Sequence, residues 1–128
     1  MKDYYKILEI HDSAGQGEIR GAYKRRAMEC HPDRNESDPR ATEKMQDVNE
    51  AYAVLSNDER RDEYDALRSQ DAATAYDHFR RRYSTDDIFR HSDVDTMMNE
   101  ILELFFSGRR RFDANDEMID LTRKPSRS

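Results

Sequence analysis

The triplet His31-Pro32-Asp33 is the part of this sequence whose residue types best suit molecular recognition. The Asp33 carboxylate is an ionised acceptor that can take a bidentate hydrogen bond from an arginine of a partner. Pro32 restricts the backbone and so reduces the freedom lost on docking, and His31 is of the residue type whose charge can change in the physiological pH range. These properties predict a rigid loop that presents an acidic contact to another molecule.

Basic side chains surround this triplet in the sequence: Arg20, Lys24, Arg25 and Arg34. Their like charges would repel one another unless an acidic surface meets them, which indicates a docking face. The simpler alternative is a solvated helix surface. Nucleic acid explains the pattern less well, because Glu18 and Glu29 dilute the positive charge and no aromatic residues alternate with it for base stacking.

Two long helices are predicted to hold the triplet between them. Before it, apolar residues recur at helical spacing: Ile19, Ala22, Tyr23, Ala27 and Cys30. Pro32 ends this helix, because proline lacks an amide hydrogen and clashes with the preceding turn. After the triplet, Asp38-Pro39 are expected to cap the next helix, whose apolar residues are Ala41, Met45, Val48, Tyr52 and Leu55. Their spacing is typical of a helix that lies antiparallel against a partner.

Shorter helices are predicted on either side of this pair. One covers Tyr4 to Leu8, and another begins after a cap at Ser56-Asn57-Asp58 and continues to about Leu67. No stretch alternates apolar and polar residues for long enough to predict a strand, so the fold class is all-α. We expect five tyrosines to fill the core: Tyr4, Tyr5, Tyr23, Tyr52 and Tyr64.

The C-terminal half begins with the run 68–75, which has no large apolar residue, and we predict a polar linker over 68–83. Helix caps at Ser84 and Ser92, each with Asp three residues later, predict a helical segment over 84–107 that ends near Gly108. Its amphipathic face comprises Val94, Met97, Met98, Ile101, Leu102 and Phe105. We predict a disordered tail over 108–128.

Composition limits the class of protein. The chain has 128 residues, of which 39% are charged and 35% hydrophobic, so it suits one small domain with an appendage. The net charge of −6 gives no overall attraction to nucleic acid or to anionic membranes. With one cysteine, Cys30, and neither a signal peptide nor a membrane-spanning segment visible, we expect a cytoplasmic protein.

Enzymatic chemistry is not predicted. The four histidines, His11, His31, His78 and His91, lack the spacing of a metal site, so we expect neither a metal nor another cofactor. Cys30 precedes His31 directly, but a small residue of a helical core explains that cysteine better than a reactive thiolate does.

Four blocks of the sequence resemble the J domain of DnaJ-type co-chaperones, in order and in spacing, over about 65 residues. They are Asp3-Tyr4-Tyr5-Lys6-Ile7-Leu8, then the stretch from Ile19 to Met28, then His31-Pro32-Asp33-Arg34-Asn35, and finally the stretch from Asn49 to Asp65. The resemblance implies a four-helix J domain over 2–67. We therefore expect neither zinc-binding cysteine repeats nor a β-rich client-binding domain in the 61 residues that follow residue 67.

The resemblance also implies a function. The second helix and the His-Pro-Asp loop would bind a seventy-kilodalton heat-shock (DnaK-type) chaperone and stimulate its ATP hydrolysis, so the catalysis would belong to the partner. Asp33 would disturb the arginine network that restrains hydrolysis, while His31 and Pro32 would hold the loop. The remaining contact surface would comprise Arg20, Tyr23, Lys24, Arg25, Arg34 and Asn35. The alternative is a J-like interaction or scaffold protein that has lost this stimulation.

Four positions depart from the family pattern. Arg26 stands where the family usually has a buried leucine, and we expect it to keep its stem on the core with its head in water. Glu29 replaces a lysine and removes a positive charge from the docking face. Cys30 replaces an aromatic residue, and Met45 replaces a phenylalanine.

Three alternatives stay open for the amphipathic helix that begins near Val94, because such a face must be buried or must associate. It could pack on its own J domain, bind a client or partner in a groove, or dimerise the protein. We favour docking on the J domain, where it would partly cover the second helix and restrain activity. The run from Thr85 to Arg90 and the pair Phe105-Phe106 resemble the linker next to many J domains, although the glycines expected there are missing.

Overall fold

The computed structural model describes residues 2–115 of the chain, with side chains described from 2 to 104. The described residues form helices and connecting turns, without a strand, which confirms the all-α class. The α-helices are α1 (Tyr4–Leu8), α2 (Gln16–Cys30), α3 (Ala41–Leu55), α4 (Asp58–Gln70), α5 (Ala75–Arg82), α6 (Thr85–Phe89) and α7 (Val94–Asn115). The chain divides after Val94 into two compact units.

Helices α2 and α3 form the predicted hairpin. Arg20 near the start of α2 reaches Tyr52 near the end of α3, whereas Tyr23, one turn further along α2, reaches Asn49. The order of these contacts shows that the two helices run antiparallel. Helix α2 ends at Cys30, with His31 as its C-cap, and Pro32 comes next, where its missing amide hydrogen prevents the helix from continuing.

The start of α3 differs from the sequence-based expectation. We predicted that Asp38-Pro39 would cap it, but the N-cap is Arg40 and the helix begins at Ala41. The Asp38 carboxylate instead accepts from the backbone N–H of Arg40 at 2.8 Å and from Lys44 Nζ at 2.9 Å. Asp38 therefore joins the turn before the helix to the start of α3 without being its N-cap.

Aromatic rings fill the centre of the first unit, as predicted. All five expected tyrosines are at most 2% exposed. The rings of Tyr23 and Tyr52 stack with centroids 4.5 Å apart, and those of Tyr4 and Tyr64 lie 4.7 Å apart. The Tyr64 hydroxyl accepts from the backbone N–H of Tyr4 at 3.2 Å, so α1 and α4 are joined through this core.

Helix α5 lies inside the segment predicted as a polar linker, and the sequence analysis did not predict it. Its Phe79 is fully buried, with ring centroids 6.0 Å from Tyr4, 5.8 Å from Tyr64 and 4.9 Å from Tyr83. Arg80 of the same helix lies 3.6 Å from Glu50, measured from Nε to Oε2. These contacts place α5 against the core, so the segment 68–83 is largely helical and packed.

Helix α6 begins as predicted. The Ser84 hydroxyl accepts from the backbone N–H of Asp87 at 3.1 Å, and the Asp87 carboxylate accepts from the N–H of Ser84 at 3.2 Å. This reciprocal pair is a capping box. Ile88 of α6 is only 2% exposed, and α6 packs against α3.

Helix α7 contains all six residues of the predicted amphipathic face. It continues through Gly108, which we expected to end it, and reaches Asn115. The predicted disordered tail therefore starts within this helix, and residues 116–128 lie outside the described residues. Within the described part of the chain, no helix combines the length and apolar character needed to cross a membrane.

Candidate functional site

The His-Pro-Asp loop is a single 3-10 turn, Pro32–Arg34, placed directly after α2. The His31 side chain caps it: its Nδ1 accepts from the backbone N–H of Asp33 at 3.1 Å. The backbone N–H of Arg34 donates to the His31 carbonyl at 3.0 Å. Since Pro32 occupies the first position of the turn, where no amide hydrogen is needed, the sequence favours this geometry.

The loop presents its two ionisable side chains differently. The Asp33 side chain is 57% exposed, whereas that of His31 is 15% exposed. The two side chains are 3.9 Å apart, measured from His31 Nδ1 to Asp33 Oδ2. The turn therefore holds the imidazole against the protein and directs the carboxylate toward solvent, where an arginine of a partner could reach it.

Asn35 follows the turn and makes contacts within the chain. Its side-chain Nδ2 donates to the carbonyl of Glu29 at 2.7 Å and to the carbonyl of His31 at 2.9 Å. We predicted Asn35 as part of the contact surface. The structure shows that its amide group connects the last turn of α2 to the loop.

Two of the predicted basic contact residues have partners in the first unit. Arg20 Nη1 donates to the Tyr52 hydroxyl at 3.3 Å and lies 3.5 Å from Asp93 Oδ2. Arg25 Nη2 donates to the carbonyl of Leu8 at 3.3 Å, at the end of α1. Arg20 and Arg25 are nevertheless exposed residues.

The other predicted contact residues differ in exposure. Tyr23 is fully buried, and its hydroxyl donates to Asn49 Oδ1 at 2.6 Å. Tyr23 therefore supports the predicted docking face from within the core. Lys24 is half-buried, and Arg34 is exposed beside the loop.

Tyr52 connects the basic face to the segment after α6. Burial and the hydrogen bond to Asp93 raise the pKa of the Tyr52 hydroxyl to about 12. Asp93 was not among the predicted site residues. It lies 73 positions after Arg20, and no spacing rule relates residues so far apart.

Arg26 departs from the expectation that its head lies in water. Its Nε donates to the carbonyl of Ile7 at 2.9 Å, and its Nη1 donates to Glu29 at 2.8 Å and lies 3.4 Å from Glu9. Burial alone would lower the pKa of Arg26, but the Glu29 hydrogen bond and nearby charges raise it. Arg26 thus stabilises the carbonyl end of α1, and Glu29 is paired instead of standing alone on the docking face.

Cys30 behaves as a core residue. It is 7% exposed, and burial raises the pKa of its thiol. A raised pKa disfavours the thiolate, which is the reactive form. The position next to His31 therefore gives no support for a nucleophilic pair.

Residues 3–65 match the family model described as the DnaJ domain. This segment of the chain belongs to the DnaJ domain family. The match covers α1, α2, the His-Pro-Asp loop, α3 and most of α4. The resemblance recognised from the four sequence blocks is thereby confirmed.

Curated relatives agree with this assignment. The chain is 39% identical over 110 residues to a "Chaperone protein DnaJ" of Methanosarcina acetivorans, which covers 86% of this chain and 26% of the relative. It is 42% identical over 90 residues to "DnaJ homolog subfamily B member 11" of Canis lupus familiaris, covering 70% of this chain and 24% of that one. A crystal structure of the J-Trx1 fragment of ERdj5 is 35% identical, with a TM-score of 0.49, over 51% of this chain and 32% of that fragment.

The chain spans about a quarter of the length of these curated relatives. The DnaJ domain is the part that this chain shares with them. Activities of the full-length relatives do not transfer with the domain alone.

Proposed function

We propose that this chain is a co-chaperone that binds a seventy-kilodalton heat-shock (DnaK-type) chaperone and stimulates its ATP hydrolysis, thereby aiding protein folding. Binding would use α2 and the His31-Pro32-Asp33 loop. The observation that supports this most directly is the exposed Asp33 carboxylate, held on a capped turn at the end of a basic helix. In this proposal ATP is cleaved by the partner, and we expect the pair to meet in the cytoplasm.

Each part of the site has a separate role in the proposal. Asp33 would accept from an arginine of the chaperone, because a carboxylate and a guanidinium can form two parallel hydrogen bonds. Arg20, Lys24, Arg25 and Arg34 would steer an acidic surface toward α2, which affects the association rate more than the final affinity. His31 and Pro32 would hold the turn.

The decisive experiment is single-turnover ATP hydrolysis by a DnaK-type chaperone with the wild-type chain and with Asp33→Asn. This substitution keeps the shape of the side chain and removes its charge, so we expect stimulation to be lost while the circular dichroism spectrum stays the same. Asp86→Asn, an exposed position on α6, is the matched control. Full stimulation by Asp33→Asn would refute the proposed role of the carboxylate.

A second candidate is an interaction or scaffold protein that binds a partner without stimulating hydrolysis. Glu29 within the docking face and the attachment of Arg20 to Asp93 favour it, since both reduce the positive charge available to an acidic surface. A pull-down combined with the ATPase assay separates the two candidates. Binding that depends on Asp33 without any stimulation by the wild-type chain would favour the scaffold.

The apolar residues of α7 are a further part of the proposal. They would either bind a client or partner or form an intramolecular lid. The residues are Val94, Met97, Met98, Ile101, Leu102 and Phe105. A chain that ends at Val94 tests the lid, because it retains the whole first unit. Faster stimulation by this shorter chain, or changed amide shifts in α2, would support the lid. If both the stimulation and the amide shifts stay the same, the lid is excluded.

A further inference from the structure

Asn35 makes an unusually complete set of hydrogen bonds for a residue in a surface loop. Its side-chain Nδ2 carries two hydrogens, and it donates to two carbonyl oxygens, those of Glu29 at 2.7 Å and His31 at 2.9 Å. Its backbone N–H donates to Pro32 at 3.1 Å, and its carbonyl accepts from the N–H of Asp38 at 2.9 Å. Asn35 is thus attached to the helix before the turn, to the turn itself and to the chain after it.

The acceptors explain why this position needs an amide donor. Glu29 lies in the last turn of α2, where carbonyl groups have no partner within the helix. The backbone N–H of Asp33, four residues later, is already used by the His31 imidazole. The Asn35 side chain therefore satisfies a carbonyl that the end of the helix leaves open.

We propose that Asn35 is a positioning residue that acts through Asp33, and that it makes no essential contact with the partner. This inference rests on the proposed function. Asp33 lies between the two segments that the Asn35 amide joins, so the amide limits the directions in which the Asp33 carboxylate can point. A partner then meets a carboxylate that already has the orientation that stimulation of hydrolysis requires.

The proposal separates the orientation of Asp33 from the strength of binding. The contacts that α2 would make with the partner do not involve the Asn35 amide. Loss of the amide would leave the complex able to form, with Asp33 in several orientations. The maximal stimulation at saturation should therefore fall, while the concentration for half-maximal stimulation should change little.

Two substitutions test this. Asn35→Ala removes both donors without adding charge, and Asn35→Asp keeps the shape but places a carboxylate against two carbonyl oxygens. Ser37→Asp is the matched control, because it adds the same charge at an exposed position two residues away. Each protein is measured in the single-turnover ATPase assay over a range of concentrations, and its amide hydrogen exchange is measured without any chaperone.

Both Asn35 variants should remain folded, exchange the amides of Asp33 and Arg34 faster, and lower the maximal stimulation about tenfold, the effect of two lost neutral hydrogen bonds. Their half-maximal concentration should stay within about twofold of wild type, and Ser37→Asp should behave as wild type. An unchanged maximum with a higher half-maximal concentration would overturn the proposal, because it would make Asn35 a direct contact. Unchanged amide exchange would also overturn it.

Failure of this inference can be told from failure of the proposed function. If the wild-type chain itself does not stimulate ATP hydrolysis, the proposed function fails. The exchange measurement on the free protein still reports whether the Asn35 amide restrains the loop.

Discussion

Arg20 of α2 and Asp93 of the segment after α6 form an ion pair, with 3.5 Å between Nη1 and Oδ2. Arg20 belongs to the predicted docking face, whereas Asp93 lies beyond the end of the DnaJ domain match. A partner that uses Arg20 must therefore compete with a carboxylate of the same chain. Both side chains are about half exposed, at 54% and 43%, so the competition is weak and depends on salt.

The first prediction concerns Asp93→Asn. Because an exposed ion pair contributes less than about 1 kcal/mol, the free energy of unfolding should change by no more than that. The concentration of the chain needed for half-maximal ATPase stimulation should fall at low salt, since Arg20 becomes available to the partner. The difference from wild type should disappear at high ionic strength. An equal half-maximal concentration for both proteins at low salt would show that the pair does not limit docking.

The second prediction concerns Phe79→Ala. Phe79 is fully buried among aromatic rings, so its truncation should lower the free energy of unfolding by about 3–5 kcal/mol. Urea denaturation followed by circular dichroism measures this loss. His78→Ala is the control on the same helix, because His78 is exposed, and it should change stability by at most about 0.5 kcal/mol. Similar stability of the two variants would mean that α5 is not part of the folded core.

The third prediction concerns Arg26→Ala. The substitution leaves the Ile7 carbonyl without its donor and removes the pairing with Glu29 and Glu9. A charge-assisted hydrogen bond contributes about 1.5–3 kcal/mol, so the unfolding free energy should fall by roughly that amount. Arg81→Ala, at an exposed position of α5, serves as the comparison. Arg26→Lys should restore only part of the lost unfolding free energy, because one ammonium group cannot reproduce the several N–H donors that a planar guanidinium directs to different acceptors.

The fourth prediction concerns alkaline pH. Burial is the main cause that raises the pKa of Tyr52 and of Tyr64 to about 12 in the folded protein, against about 10 in an unfolded chain. Between these values the folded state binds more protons than the unfolded state, so stability falls as the pH rises. The contribution is complete below about pH 10 and is lost as the pH passes about 12. Burial also raises the pKa of Tyr4 and Tyr5, in the same direction.

Tyrosinate absorbance measures this directly. Because burial raises the pKa of Tyr52, Tyr64, Tyr4 and Tyr5, the tyrosines of the native protein should ionise at higher pH, as a group, than those of a sample unfolded by urea. Equal titration curves for native and unfolded protein would contradict the buried positions of these rings.

The sequence predicts the helical hairpin and its loop well, because both depend on local features. The periodicity from Ile19 to Cys30 defines the buried side of α2, and Pro32 fixes its end. The exposure of Asp33 follows from its place in a short polar turn between two packed helices. These features need no knowledge of distant parts of the chain.

Other features depend on contacts between distant residues, and the sequence did not reveal them. Ala75, Phe79 and Tyr83 recur at helical spacing, but the polar and charged residues that dominate 68–83 favoured a linker over a packed helix. The burial of Phe79 depends on Tyr4 and Tyr64, which are 75 and 15 residues earlier. The inward orientation of the Asn35 amide was missed for a similar reason, since its acceptors are backbone oxygens that any sequence would supply.

The position of Phe79 has a practical consequence for the choice of fragments. A fragment designed on the family match alone would stop at residue 65 and would lack the ring that covers one side of Tyr4 and Tyr64. The uncovered aromatic surface would attract other hydrophobic groups, so such a fragment would tend to self-associate. Binding measured with such a fragment would then include non-specific hydrophobic association that the longer polypeptide does not show.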